Sequence, residues 1–300
     1  MQPFLPTDSE SVDSLASDVA NVNLSQKSLT QSGSLNTSLT SLESSEVFAT
    51  LPNPPPLMPN ALGFYGPYLM YNSIDYTASL FYGSCMIVSP APSPPSLTVI
   101  NPLDPNETFL FDKPTLLDSF ENTLHFYRYA ITVPLSTGAS PKKYDYFFNN
   151  ERQFAYSFYV ASVNDPSWNW AFHSCNGWSS GVPLETREKM GGLAPLWRDL
   201  LTKHAEKPFL LLAGGGDQVY ADPVWKLSCL DAWLKTRGRD NRLNAPWTPE
   251  MEAEVSKFYL ELYLRHFGQS VISEALASIP SINCIDDHDL WYESWLVLAV

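Results

Sequence analysis

Apolar and polar residues alternate most clearly from Leu124 to Val133, a stretch rich in aromatic and β-branched side chains, and the same pattern recurs from Phe154 to Val163. Both predict strands. Ser79–Val88 and Leu97–Ile100 are weaker candidates of the same kind. Turn signals at Pro90 to Pro95, Pro102 to Asn106 and Gly138 to Pro141 separate these runs. Short strands at this spacing predict a β-rich sandwich over residues 61–167. From Trp168 the pattern changes. A short apolar run, Trp168 to Phe172, ends at His173-Ser174-Cys175, and a fully apolar run spans Pro208 to Ala213. Leu193, Leu196, Trp197, Leu200 and Leu201 fall at helical spacing between Leu193 and His204. Val224 to Leu234 predicts another helix, with Trp225, Cys229 and Trp233 on one face. Thr248 is a good N-cap with Pro249 at the first helical position, Phe258, Leu262 and Phe267 continue that helix, and Gly268 offers its C-cap. Ile282 to Ile285 is a last short strand. Buried runs alternating with helices predict an α/β unit over residues 168–289.

Residues 1–60 carry neither period. Ser and Thr dominate, and no aromatic lies between Phe4 and Phe48. Such a stretch buries too little apolar surface to offset backbone entropy, so a disordered Ser/Thr/Pro-rich tail is expected, ending in a spacer with Pro52, Pro54, Pro55, Pro56 and Pro59. It reads either as a phosphorylatable regulatory arm or as a passive solvated tail. The chain as a whole is 44% hydrophobic and 13% aromatic, enough for a core. Its 18 basic and 32 acidic residues give a net charge of −14, which argues against nucleic-acid binding and against docking on anionic membrane. No apolar run approaches the roughly 18 residues of a membrane span. Met1 to Leu5 carry no Lys or Arg and no apolar h-region follows, so a secretory signal is not expected, and the four cysteines are too sparse for a disulfide scaffold. The expected compartment is the cytosol, and the sequence names no protein partner.

The candidate chemistry lies where two apolar strands end in acids. Phe209–Ala213 runs into Gly214-Gly215-Gly216-Asp217-Gln218-Val219-Tyr220, and Ile282–Ile285 runs into Asp286-Asp287-His288-Asp289. In open α/β sheets, ligands bind beyond the carboxyl ends of strands. Three acids around one His repel one another, and a hard metal ion would compensate them. Taken singly, Asp217 is also readable as a turn or cap acid, and Asp286–Asp289 as an exposed helix start. No Lys-Ser or Lys-Thr follows the glycines, so a Walker loop is excluded. Cys175, Cys229 and Cys284, taken alone, read as core thiols, and Cys85 is uninformative.

Together, Ala171-Phe172-His173-Ser174-Cys175, Gly216-Asp217-Gln218-Val219-Tyr220 and Asp286-Asp287-His288-Asp289 resemble the PhoD-like branch of the metallophosphatases, in its fungal cytosolic form. Cys175-Asn176-Gly177-Trp178, Pro195-Leu196-Trp197-Arg198-Asp199 and Lys203 to Phe209 extend the similarity, which is strongest over residues 168–289. The resemblance implies an α/β/β/α sandwich, incomplete here, preceded by the β-rich domain and the tail. It implies a metal-dependent hydrolase acting on a phosphoester through a metal-activated water. Asp217 would match the acid that bridges two metals. Cys175 and Tyr220 would match the thiolate and phenolate that hold a ferric ion with it. Asp287 would match a ligand of the second metal, for which calcium serves in the bacterial relative, and His288 the catalytic histidine that contacts the phosphate and leaving group. Relatives continue past this motif with a Gly-rich stretch and later His ligands, whereas Leu290 to Val300 diverges. The resemblance therefore also implies a truncated chain, with a catalytically inactive remnant serving as an interaction module as the alternative reading. A third reading is a regulatory scaffold working through residues 1–60.

Overall fold

The computed structural model describes residues 56–165, 167–179 and 181–291. Most of the expected tail, residues 1–55, and most of the divergent end, residues 292–300, lie outside the described residues. Eleven strands occur among those described: β1 (Tyr65–Asp75), β2 (Leu80–Ser89), β3 (Leu97–Asn101), β4 (Asp104–Phe111), β5 (Thr115–Phe120), β6 (Leu124–Pro134), β7 (Lys142–Phe148), β8 (Tyr156–Val160), β9 (Asn169–His173), β10 (Phe209–Gly215) and β11 (Ser281–Cys284). The helices are α1 (Leu184–Lys189), α2 (Ala194–Glu206), α3 (Asp231–Lys235), α4 (Arg239–Leu243), α5 (Pro249–Phe267) and α6 (Ser270–Ser278).

The fold is mixed α/β with two sheets. One has seven strands in the order β5-β6-β2-β1-β11-β10-β9, and the other four, β4-β3-β7-β8. The larger sheet takes strands from both the 61–167 and the 168–289 stretches. Its strand faces obey the two-residue period. Leu69, Phe81, Cys85 and Ile131 point to the small sheet, where they meet Leu97, Tyr144, Phe148 and Phe158 in one buried cluster. Tyr68, Val88 and Leu212 point the other way, against Trp197 of α2, Leu264 of α5 and Ile272 of α6. Thr248 caps α5 as the sequence predicts, accepting a hydrogen bond from the Met251 N–H at 3.2 Å.

Two features depart from the sequence reading. Val224 to Leu234 is not one helix. It forms single 3-10 turns at Asp222–Lys226 and Ser228–Leu230, and only then the short α3. Leu227 adopts an extended backbone (φ −67°, ψ 128°), which ends the first turn, yet the Trp225 and Trp233 rings still stack at 5.7 Å. Cys284 is exposed rather than core, because it lies at the end of a strand whose outer face carries no covering layer among the described residues. On that outer side Trp170 is 57% and Phe172 64% exposed, and Ile282 is about half exposed. No helix among the described residues is long and apolar enough to cross a membrane.

Strands β9, β10, β11 and β1 run parallel, so their carboxyl ends open on one edge. That edge is where the candidate residues gather.

Candidate metal centre

The loop after β9 and the loop after β10 are stitched together by their backbones. The Cys175 N–H donates to the Gly216 carbonyl at 3.1 Å, and the Asn176 N–H to the Asp217 carbonyl at 2.8 Å. Both candidate ligands in this seam, Cys175 (φ +55°) and Asp217 (φ +52°), sit in the left-handed region that residues with a Cβ seldom occupy. Strain of that kind, on the order of 1–3 kcal/mol per residue, persists only where surrounding contacts impose it and concentrates at functional sites. Gly216 between them is required: its φ is +106°, and a Cβ there would come within 2.5 Å of the Asp286 Cβ. Gly177 is required for another reason, since a Cβ would meet the Tyr220 ring at 2.4 Å.

After β11, Asp287–Asp289 forms one 3-10 turn closed by a capping box between Asp286 and Asp289. Asp289 is fully buried. Its carboxylate accepts from the Asp286 N–H at 2.8 Å and the Val219 N–H at 3.1 Å, while the His288 carbonyl accepts from the Ala221 N–H at 2.9 Å. The turn is thus fixed to the segment that follows Asp217. From the helix side, the Tyr259 and Tyr263 hydroxyls donate to the carbonyls of Leu290 (2.7 Å) and Asp289 (3.1 Å).

These ties bring three of the predicted residues to one place, with Cys175 and Tyr220 adjoining them. Asp217, Asp287 and His288 each offer a ligand atom, and the three atoms lie within 4.8 Å of one another. The Cys175 thiol donates to Asp217 Oδ2 at 3.5 Å. The Tyr220 ring lies 4.6 Å from the His288 ring, centroid to centroid. The Asp217 side chain is buried, and its Oδ1 has no hydrogen-bond partner among the described residues. Burial raises its carboxyl above the ordinary range, with the Cys175 thiol and His288 opposing, and the charges of Asp286 and Asp287 adding to the rise. A buried carboxylate with an unpaired oxygen, two further carboxylates nearby and an imidazole and a thiol at hand fits a metal ion. Asp289, by contrast, uses one carboxylate oxygen on the Asp286 N–H and the other on the Val219 N–H, and Asp286 Oδ1 accepts from the Asp287 N–H.

Two partners of the site were not legible as such in the sequence. Asp222 Oδ2 lies 2.7 Å from His288 Nδ1. Burial of His288 lowers its pKa, but the Asp222 carboxylate outweighs that and the net direction is upward. Accepting at Nδ1, Asp222 fixes the ring's tautomer and orientation, as carboxylates behind metal-binding histidines do. We expect Asp222→Ala to lower metal affinity about 10–100-fold with little change in fold, measured by metal titration with a circular-dichroism control. Asn176, directly after Cys175, forms the second device. Its amide donates to His266 Nε2 at 2.7 Å, and its Oδ1 accepts from Trp197 Nε1 at 3.0 Å, so the loop is bolted to α5 and α2.

His266 is 0% exposed, and burial, with the neighbouring His173 adding to it, pushes its pKa down to about 3. An unfolded histidine takes its proton near 6.5. Below that pH the unfolded chain binds the extra proton and the folded chain does not. The stability tied to neutral His266 is therefore full above about pH 6.5 and lost as pH falls towards 3. We expect unfolding free energy to decline below pH 6 with a slope of ~1.4 kcal/mol per pH unit from this group, and His266→Gln to flatten that slope in denaturant titrations at pH 4–6.

The mixed α/β fold thus gathers acids and a histidine beyond the carboxyl ends of parallel strands. The chain belongs to the PhoD related phosphatase family, whose match spans residues 137–295 and so contains every residue of the cluster. It is also 33% identical over 257 aligned residues to an uncharacterized protein of Saccharomyces cerevisiae, an alignment that takes in 75% of this chain. The chain spans 35% of that relative's length.

Proposed function

We propose that this chain is a metal-dependent phosphoester hydrolase whose centre is built by Asp217, Asp287 and His288 with Cys175 and Tyr220 beside them. The observation that carries the reading is the convergence of Asp217, Asp287 and His288 ligand atoms within 4.8 Å of one another, with Asp217 Oδ1 buried and without a partner among the described residues. The donor set is chemically mixed. Cys175 and Tyr220 are anionic, polarisable donors once deprotonated and suit iron, whereas Asp287 suits a harder ion such as calcium. Asp217 stands against both groups and would be shared. Metal ions held there supply a water of lowered pKa and neutralise charge on the phosphoryl oxygens.

The chain's own groups do the rest. Asp217 and Asp287 would hold the ions at the strand ends, and the left-handed backbone at Cys175 and Asp217 orients the two side chains. His288, steadied by Asp222 through Nδ1, uses Nε2 to hydrogen-bond the phosphoryl group and to protonate the leaving alkoxide. The net charge of −14 disfavours nucleic-acid phosphodiesters as the substrate. Four free cysteines support a reducing, cytosolic location.

An aryl phosphate serves as the test substrate. We expect the purified chain to hydrolyse it, to lose that activity on treatment with a chelator and to regain it on addition of iron with calcium. A second reading rests on the exposed apolar side chains of Trp170, Phe172 and Ile282, which suit an inactive interaction module. Absence of turnover under every metal regime, with the protein folded, favours that module over the hydrolase.

A further inference from the structure

Away from the acidic cluster, a cleft of about 470 Å³ runs between α5 and the seven-stranded sheet. Its floor carries Phe126 of β6, Met86 of β2, Met70 of β1 and Asn283 of β11, with Gln218 just beyond β10. From β6 to β10 is four strand spacings, about 19 Å. Tyr259, Leu260 and Tyr263 of α5 form the roof. The volume falls within the range of small-molecule sites, which are mostly apolar with a few polar groups that fix orientation.

Three observations define what would fit. The cleft is long and its walls are mainly aliphatic and aromatic. Among the described residues no Lys or Arg lines it, its one acid is Asp118 and its one imidazole is His173, so no fixed cation in it would compensate an anionic head group. Two side chains in its wall are more than nine-tenths buried and leave polar atoms without a partner among the described residues: the Tyr68 hydroxyl (8% exposed) and Gln218 Nε2 (5% exposed). Unpaired buried donors of this kind are rare in native proteins and call for a partner.

We propose that this cleft binds an uncharged single-chain amphiphile, an aliphatic chain ending in a hydroxyl, ester or amide whose oxygen accepts from Gln218 Nε2 or from the Tyr68 hydroxyl. The chain lies across the strands beneath α5. Gln218 adjoins Asp217, and Tyr259 and Tyr263 hold the turn that bears His288, so the ligand shares a wall with the metal centre. The proposal stands independently of any catalytic activity.

1-Decanol and decanoate carry the same chain length and differ in the head. Titrated into the full 300-residue chain at neutral pH, 1-decanol is expected to bind saturably, one per chain, and to raise the thermal midpoint. Decanoate is expected to need at least tenfold higher concentration. Leu260→Trp narrows the cleft from the roof and Met86→Trp from the floor. Either variant, once its far-UV spectrum matches the parent's, is expected to bind decanol at least tenfold more weakly. No saturable decanol binding, as when another part of the chain fills the cleft, overturns the proposal. So does equal affinity for decanoate, or unchanged affinity in either folded variant.

Discussion

The Asp217→Asn chain is expected to lose its bound metal and gain stability in the metal-free state. Asparagine keeps the shape of the side chain, tolerates the left-handed backbone that this position requires (φ +52°) and can still accept from the Cys175 thiol. What it removes is charge. In the metal-free protein that charge is a liability, being buried, with one oxygen unpaired and with Asp286 and Asp287 adding to the repulsion. Relieving it should stabilise the fold by about 1 kcal/mol, a rise of about 2–4 °C in thermal midpoint for a chain of this size. In the metal-bound protein the same charge is what the ions need. Outer partners of metal ligands typically contribute 10–100-fold in affinity, so loss of a shared ligand should exceed 100-fold. Elemental analysis beside differential scanning calorimetry reads both signs in one preparation. Unchanged metal content in the variant would sink the assignment of Asp217, whatever the calorimetry shows.

The residues that made the centre legible are those at the ends of short apolar runs. Pro208 to Ala213, Trp168 to Phe172 and Ile282 to Ile285 anticipated β10, β9 and β11 to within two residues at either end. β10 and β11 lie inside the parallel part of the sheet, β9 forms its edge with Trp170 and Phe172 exposed, and the polar residues after all three emerge at the same end. Cys175, Asp217, Asp287 and His288 follow directly. The edge strands β4 and β5 gave no such signal. β4 contains Pro105 and Asn106, β5 is largely exposed, and both are strands because a neighbour pairs with them. β1 was hidden by Gly66 and Pro67 near its start and by polar Asn72 and Ser73 further on. α6 was missed because Gly268 reads as a stop, although only Gln269 separates it from the next helix. The helix expected over Val224–Leu234 failed because periodicity does not record backbone breaks such as the one at Leu227. Asp222 and His266 escaped for a different reason. Asp222 meets His288 across 66 residues of chain and His266 meets Asn176 across 90, and no local pattern encodes such a meeting.

Asn176→Ala is expected to be the most destabilising single substitution near the centre. The side chain makes three hydrogen bonds: from Trp197 Nε1 at 3.0 Å, to His266 Nε2 at 2.7 Å and to the Gln218 carbonyl at 3.4 Å. Alanine leaves the indole N–H and an imidazole nitrogen unpaired in the interior, and His266 Nδ1 already has no partner among the described residues. Orphaned buried groups cost about 1–3 kcal/mol each, so a loss of about 3 kcal/mol is expected, equivalent to about 6–12 °C in thermal midpoint. The loop bearing Cys175 would also lose its anchorage to α2 and α5, so metal affinity should fall with stability. A double-mutant cycle separates the orphaned donor from a general loss of packing. Trp197→Phe removes the indole N–H. If that orphan carries much of the penalty, Asn176→Ala with Trp197→Phe loses less stability than the sum of the two single variants. Strict additivity, read from denaturant unfolding of all four proteins, would mean that Asn176 acts by filling space and not by its hydrogen bond to Trp197.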